Sequence, residues 1–192
     1  MKKILLIMFL LSPLQAMAAE EDWYTYWSFG FANHSYPGDI EAFLNIVDAV
    51  PGTTRTQIAI DILGFYWPVA EKAILGFVIS GTADGYVGGL LGDYQLNQYL
   101  YGASIMKFFG KETGDGFFLR GDLGFADANE VVSGSGVTLT HSLDGGMGIL
   151  FGIGYGIPVS EESRILFSIN IHNNDIENEN WSAVSFNLGG LW

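Results

Sequence analysis

The stretch Met147-Gly148-Ile149-Leu150-Phe151-Gly152-Ile153-Gly154-Tyr155 carries a large apolar residue at every odd position and Gly or Leu at every even one. A repeat of two is the repeat of a β-strand, whose successive side chains point to opposite faces of a sheet. One face of this strand is therefore wholly apolar. The other is nearly bare, and its glycines leave room for bulky side chains such as Arg120, Tyr24 or Tyr26. The run Gly152-Ile153-Gly154-Tyr155-Gly156 is not a dinucleotide fingerprint, because that motif requires a strand, a turn and a helix in succession.

The same alternation spreads outward in both directions. Downstream, residues 164–173 set Ile165, Phe167, Ile169 and Ile171 against Leu166, Ser168, Asn170 and His172, and residues 181–192 align Val184, Phe186, Leu188 and Trp192. Upstream, residues 117–128 place Leu119, Leu123 and Phe125 opposite Arg120 and Asp122, and residues 98–109 align Tyr99, Tyr101, Ala103 and Ile105. Residues 73–86 oppose Leu75, Phe77 and Ile79 to Ser80, Thr82 and Asp84, and residues 55–66 oppose Ile58, Ile60 and Ile62 to Gln57, Ala59 and Asp61. Residues 23–33 put Trp23, Thr25, Trp27, Phe29 and Phe31 on one face. With residues 139–157, these make eight strands. A strand of about ten residues, rising ~3.3 Å each and tilted ~45°, covers an apolar band of ~25 Å. Unpaired backbone groups cost several kcal/mol in hydrocarbon, so such a sheet must close. The pattern predicts an all-β fold, an eight-stranded antiparallel up-and-down transmembrane barrel with its apolar face turned to lipid.

Composition agrees. Of 192 residues 49% are hydrophobic, mean hydropathy is +0.27 and there is no Cys, which excludes a disordered chain and any disulfide or Cys-zinc scaffold. A formal charge of −13 excludes nucleic acid as a partner, since that binding rests on Lys and Arg neutralising phosphates. Lys2 and Lys3, an apolar run at 4–11 and Ala16-Met17-Ala18 predict a cleaved signal peptide over residues 1–18, leaving a barrel domain at 19–192. The apolar run is far shorter than the roughly 20 residues of a spanning helix.

Connections after the second, fourth and sixth strands are short, as periplasmic turns are, whereas residues 33–54, 87–97, 129–138 and 174–180 read as longer surface loops. Both termini then lie on the periplasmic side. In the first loop Ile40, Phe43, Leu44 and Val47 recur at helical spacing, Asp39 suits the helix N-terminus and Pro51-Gly52 stops the run, predicting a short helix over the barrel mouth.

These features resemble the small eight-stranded outer-membrane proteins, the group of the OmpA transmembrane domain, OmpX and OmpW. The chain ends Val184-Ser185-Phe186-Asn187-Leu188-Gly189-Gly190-Leu191-Trp192, similar to the assembly signal of such barrels, with Trp192 where Phe is usual. The resemblance implies residence in the outer membrane of a Gram-negative bacterium, contact with membrane lipid and lipopolysaccharide, and recognition of Phe186, Leu188 and Trp192 by the barrel assembly machinery. A soluble lipocalin-like barrel alternates too, with the opposite polarity. Aromatic residues near strand ends (Trp23, Trp27, Tyr66, Trp67, Tyr99, Tyr101, Tyr155 and Trp192) favour the membrane, where they form interfacial girdles.

Strand parity turns Asp61, Arg120 and Asp122 into the lumen at similar depth, predicting a charge network, with Asp84, Asp144, Asn170 and His172 as polar lumen residues nearer the outside. Three roles fit. A monomeric, non-enzymatic barrel serves structure, surface interaction or small-solute passage; eight strands leave no porin-like channel. A lipid A-modifying enzyme of the PagL or PagP kind needs a nucleophile and base, and His172-Asn173-Asn174 resembles the PagL His-x-Ser segment with Asn174 in place of Ser. Acidic loops, with Asp39, Glu41 and Asp48 in the first and Asp175, Glu177 and Glu179 in the fourth, suit cations or basic partners. His34 and His141 read as loop or rim residues, and three scattered His predict neither a metal site nor a cofactor.

Overall fold

The computed structural model describes residues 23–89, 92–134 and 136–192. The signal peptide expected at 1–18 lies outside the described residues. The elements are β1 (Tyr24–Ser35), α1 (Gly38–Asp48), β2 (Thr54–Ala70), β3 (Ala73–Gly89), β4 (Gly92–Phe108), β5 (Gly116–Gly134), β6 (Val137–Pro158), β7 (Arg164–Ile176) and β8 (Glu179–Leu191). Each strand pairs antiparallel with its chain neighbours, and β1 pairs with β8 to close the barrel. At the seam Trp192 exchanges two backbone hydrogen bonds with Thr25, at 2.7 and 3.0 Å, and its indole stacks on Trp27 at 5.7 Å. Every strand edge is thereby paired, as an oil-coated sheet requires.

The apolar alternates face outward. Trp27, Ile60, Phe77 and Phe151 are exposed, whereas Asp61 and Asp122 are buried inside. That polarity is the reverse of a soluble barrel's. The wall also carries an apolar groove of about 580 Å³ beside Phe29, Phe31, Phe167 and Phe186, continuous with the rest of this oily exterior.

Strands run 12 to 22 residues, so they outreach the ~25 Å apolar band. The extra length lies at the end that bears α1, here called outer. Three expected surface loops are thus corrected to tall hairpins: β3–β4 pairs out to Gly89 and Gly92, β5–β6 to Gly134 and Val137, and β7–β8 to Ile176 and Glu179. The last turns on Glu177 and Asn178, both at positive φ, the two-residue geometry that matches strand twist.

α1 occupies the predicted place. Pro37 precedes it, Asp39 and Glu41 sit in its first turn, and the Ala49 N–H donates back to the Asn45 carbonyl at 3.1 Å. Its buried face, Leu44 and Val47 with Ile40 alongside, packs on Tyr36, Tyr86, Tyr94, Leu96, Ile176 and Trp181 to close the outer mouth.

β-Bulges overrule simple parity at two places. Between Asp61 and Leu63 the β2–β3 register shifts, so Ile62 and Leu63 are both exposed and Tyr66 turns inward, fully buried rather than in the aromatic girdle. Between Gly145 and Gly148 the β6–β7 register shifts as well, and Asp144 is an exposed rim residue, not a lumen one.

Candidate functional site

The lumen is filled in three tiers. At the inner end Tyr24, Tyr26, Tyr66, Ile74, Met106, Phe108, Phe118, Leu166 and Leu191 form an apolar plug. The bare face of β6 makes this possible: a Cβ on Gly154 would stand 2.4 Å from the Phe118 ring.

Above the plug lies an ion cluster. Arg120 donates to both oxygens of Asp61, Nη1 to Oδ2 at 2.8 Å and Nη2 to Oδ1 at 2.7 Å. The same guanidinium donates to Asp122, Nη2 to Oδ2 at 2.6 Å and Nε to Oδ2 at 3.0 Å. Ser28 donates to Asp61, Ser104 donates to Asp122, and the Tyr66 hydroxyl donates to Ser104 at 2.8 Å. The Tyr26 ring lies 5.2 Å from the guanidinium carbon. A buried charge is tolerated only when its remaining lone pairs and protons are also satisfied, and these hydroxyls do that. Arg120 is 1% exposed, Asp61 3% and Asp122 4%, values that an open aqueous bore would not allow.

The outer tier is a second network beneath α1. Asp84 accepts from Arg55, at 3.0 Å from Nε and 2.7 Å from Nη2, and from Gln57, Tyr36 and Tyr86 at 3.3 Å each. Burial, with Asp84 beside it, pushes the Tyr36 hydroxyl well above the usual phenol range, so it stays a donor. His34 stacks on Tyr36 and approaches Gln57 at 3.0 Å, so it is a buried lumen residue and not the loop or rim histidine its position suggested. Between the two networks the His172 ring meets the Ser185 hydroxyl at 3.1 Å, and Asn170 donates to Ser168 and Asn187. Ser185 is wholly buried, so this Ser–His contact meets no substrate from outside.

Arg55 and His34 escaped sequence reasoning. Parity within β2 puts Arg55 on the face of Gln57, Ala59 and Asp61, but its pairing with Asp84 follows only from the β2–β3 register, which sets Asp84 opposite Gln57.

Charge is polarised along the axis. The inner end mixes Lys72, Lys107, Lys111 and Arg164 with Glu71, Glu112, Asp115, Glu161 and Glu162, whereas the outer rim holds Asp39, Glu41, Asp48, Asp93, Glu130, Asp144, Asp175, Glu177 and Glu179. Among the described residues Arg55 is the one Lys or Arg at the outer end, and it is engaged by Asp84. Among the described residues no three His, Cys, Asp or Glu side chains stand close enough to hold a metal ion.

The architecture is similar to that of Ail, the attachment invasion locus protein of Yersinia pestis, crystallised with the heparin analogue sucrose octasulfate. The TM-score is 0.53 at 11% identity, over 90% of this chain and 100% of that one. Neisserial surface protein A is similar too, with a TM-score of 0.52 at 13% identity over 88% of this chain and 95% of that one. No family model matches the chain. No curated protein matches it either. At these identities the likeness is one of fold, and the class it defines is the small eight-stranded β-barrel of outer-membrane type.

Proposed function

We propose that this protein is an integral outer-membrane barrel of a Gram-negative bacterium that works through its outer rim, as a monomeric, non-enzymatic surface-interaction protein. One observation carries the reading: inward side chains are buried in all three tiers, from the Phe108–Phe118 plug through Arg120 to Trp181 under α1. A barrel filled in this way offers solutes no path, and its Ser–His pair offers lipid no nucleophile, which leaves the surface. Planar-bilayer recording of the purified chain tests this. Silence at physiological salt is the expected result, and reproducible conductance steps would replace the reading with solute passage. Mass spectrometry of lipid A from cells with and without the protein is expected to show identical species.

Rim charge supports a cationic kind of partner. A polysulfate such as the ligand crystallised with Ail would here meet Asp39, Glu41, Glu177 and Glu179, and among the described residues the one outer Lys or Arg, Arg55, is already held by Asp84. The exterior wall is suited to acyl chains of the bilayer and of lipopolysaccharide. Phe186, Leu188 and Trp192 project from β8 and the seam into that wall, which supports their role as a signal for the barrel assembly machinery.

A further inference from the structure

On the outer rim, α1 and the outer ends of the paired strands β4 and β5 enclose a groove of about 360 Å³, within the size range of small-molecule pockets. Phe43 and Val47 of α1 form one wall, and the register partners Tyr94 of β4 and Val132 of β5 form the other. The Phe43 and Tyr94 rings lie 5.4 Å apart at 76°. Two carboxylates complete the lining, Asp93 and Glu130. Glu130 accepts from the Tyr94 hydroxyl at 3.0 Å, and Asp93 accepts from the Gly88 N–H at 3.0 Å. Neither forms an ion pair among the described residues; His141, the register partner of Glu130 on β6, is exposed.

We propose that this groove binds a small organic ammonium ion with an apolar body. The apolar walls take the hydrocarbon part, the aromatic rings favour a cation over a neutral group, and two uncompensated carboxylates take the charge. Charge complementarity selects this occupant: an anion is repelled, and a bare metal ion gains nothing from the rings and valines. The inference rests on the surface-interaction reading and gives that surface a ligand class.

The full chain in phosphatidylcholine nanodiscs is titrated calorimetrically with phenethylammonium, with empty discs subtracted and 2-phenylethanol as the uncharged probe. The ammonium ion is expected to bind, and the alcohol at least about tenfold more weakly. Glu130→Gln and Asp93→Asn, which keep an acceptor for Tyr94 and Gly88, are each expected to weaken binding about tenfold. Val132→Trp, which fills the groove, should abolish binding, and Asp175→Asn, elsewhere on the rim, should leave it unchanged. Equal affinity for the alcohol, unaltered binding by both carboxylate variants, or heats no different from empty discs each overturn the proposal. If the groove fails while bilayer recordings stay silent, the surface reading survives without this ligand.

Discussion

Arg120 serves two carboxylates at once from inside an oil-coated shell, each through paired hydrogen bonds. Removing the guanidinium would leave Asp61 and Asp122 facing each other without a counter-charge. Breaking one side of a buried ion cluster costs about 3–5 kcal/mol. Arg120→Ala is therefore expected to lower the melting temperature sharply, read by circular dichroism in detergent micelles, and an unchanged transition would remove the network from the stability account. Arg120→Lys, which keeps the charge but loses the planar fork, should fall between the two. Glycine space gives a second prediction at this scale. A Cβ on Gly154 would lie 2.2 Å from the Phe167 carbonyl oxygen, whereas one on Gly121 finds its nearest atom, in Ile105, at 3.8 Å. Gly154→Ala should cost about 1–3 kcal/mol in the same assay and Gly121→Ala much less.

The element whose docking is most open to test is α1. Leu44 is 3% exposed and Val47 7%, and these two side chains hold the helix to the mouth. Leu44→Ala should weaken the cap by about 2 kcal/mol or more while sparing the barrel ladder. Hydrogen exchange is expected to speed up over Gly38–Asp48 with little change in β4 or β5; uniform acceleration would mean that cap and barrel open together. How far such elements can be read from sequence depends on what fixes them. Strand faces were legible because lipid imposes a strict period of two, and α1 because Leu44 and Val47 sit three apart on one stripe. Tyr66 and Asp144 were misplaced because a β-bulge adds one residue and flips everything beyond it, and the register shifts at Asp61 and Gly145 leave no mark in hydrophobicity. Hairpin height was missed for a related reason: above the membrane the outer faces no longer need to be apolar, so Asn97 and Asn129 read as loop although they pair in register. The Arg55–Asp84 pair depends on cross-strand register, which only the folded ladder defines.

For the molecule as a whole, axial charge separation predicts behaviour at a distance. With a crowd of carboxylates at its outer end and a mixture of bases and acids at the inner one, the embedded protein should be held by a cationic surface through its outer face. That retention should fade as salt rises, because screening shortens the reach of charge to about 10 Å at 0.1 M. Retention on amine-coated beads, followed with proteoliposomes from low to high salt, reads this directly, and salt-independent retention would point to apolar contact instead. All of these expectations depend on which side of the sheet meets oil. The chain contains no Cys, so a single substitution gives a single attachment point for a spin label. Labels at Ile60→Cys, Phe77→Cys and Phe151→Cys in lipid vesicles should relax with dissolved oxygen and be shielded from a water-soluble nickel chelate. Strong relaxation by the nickel chelate at these three positions, with oxygen ineffective, would mean that the wall faces water and would contradict the membrane-spanning barrel.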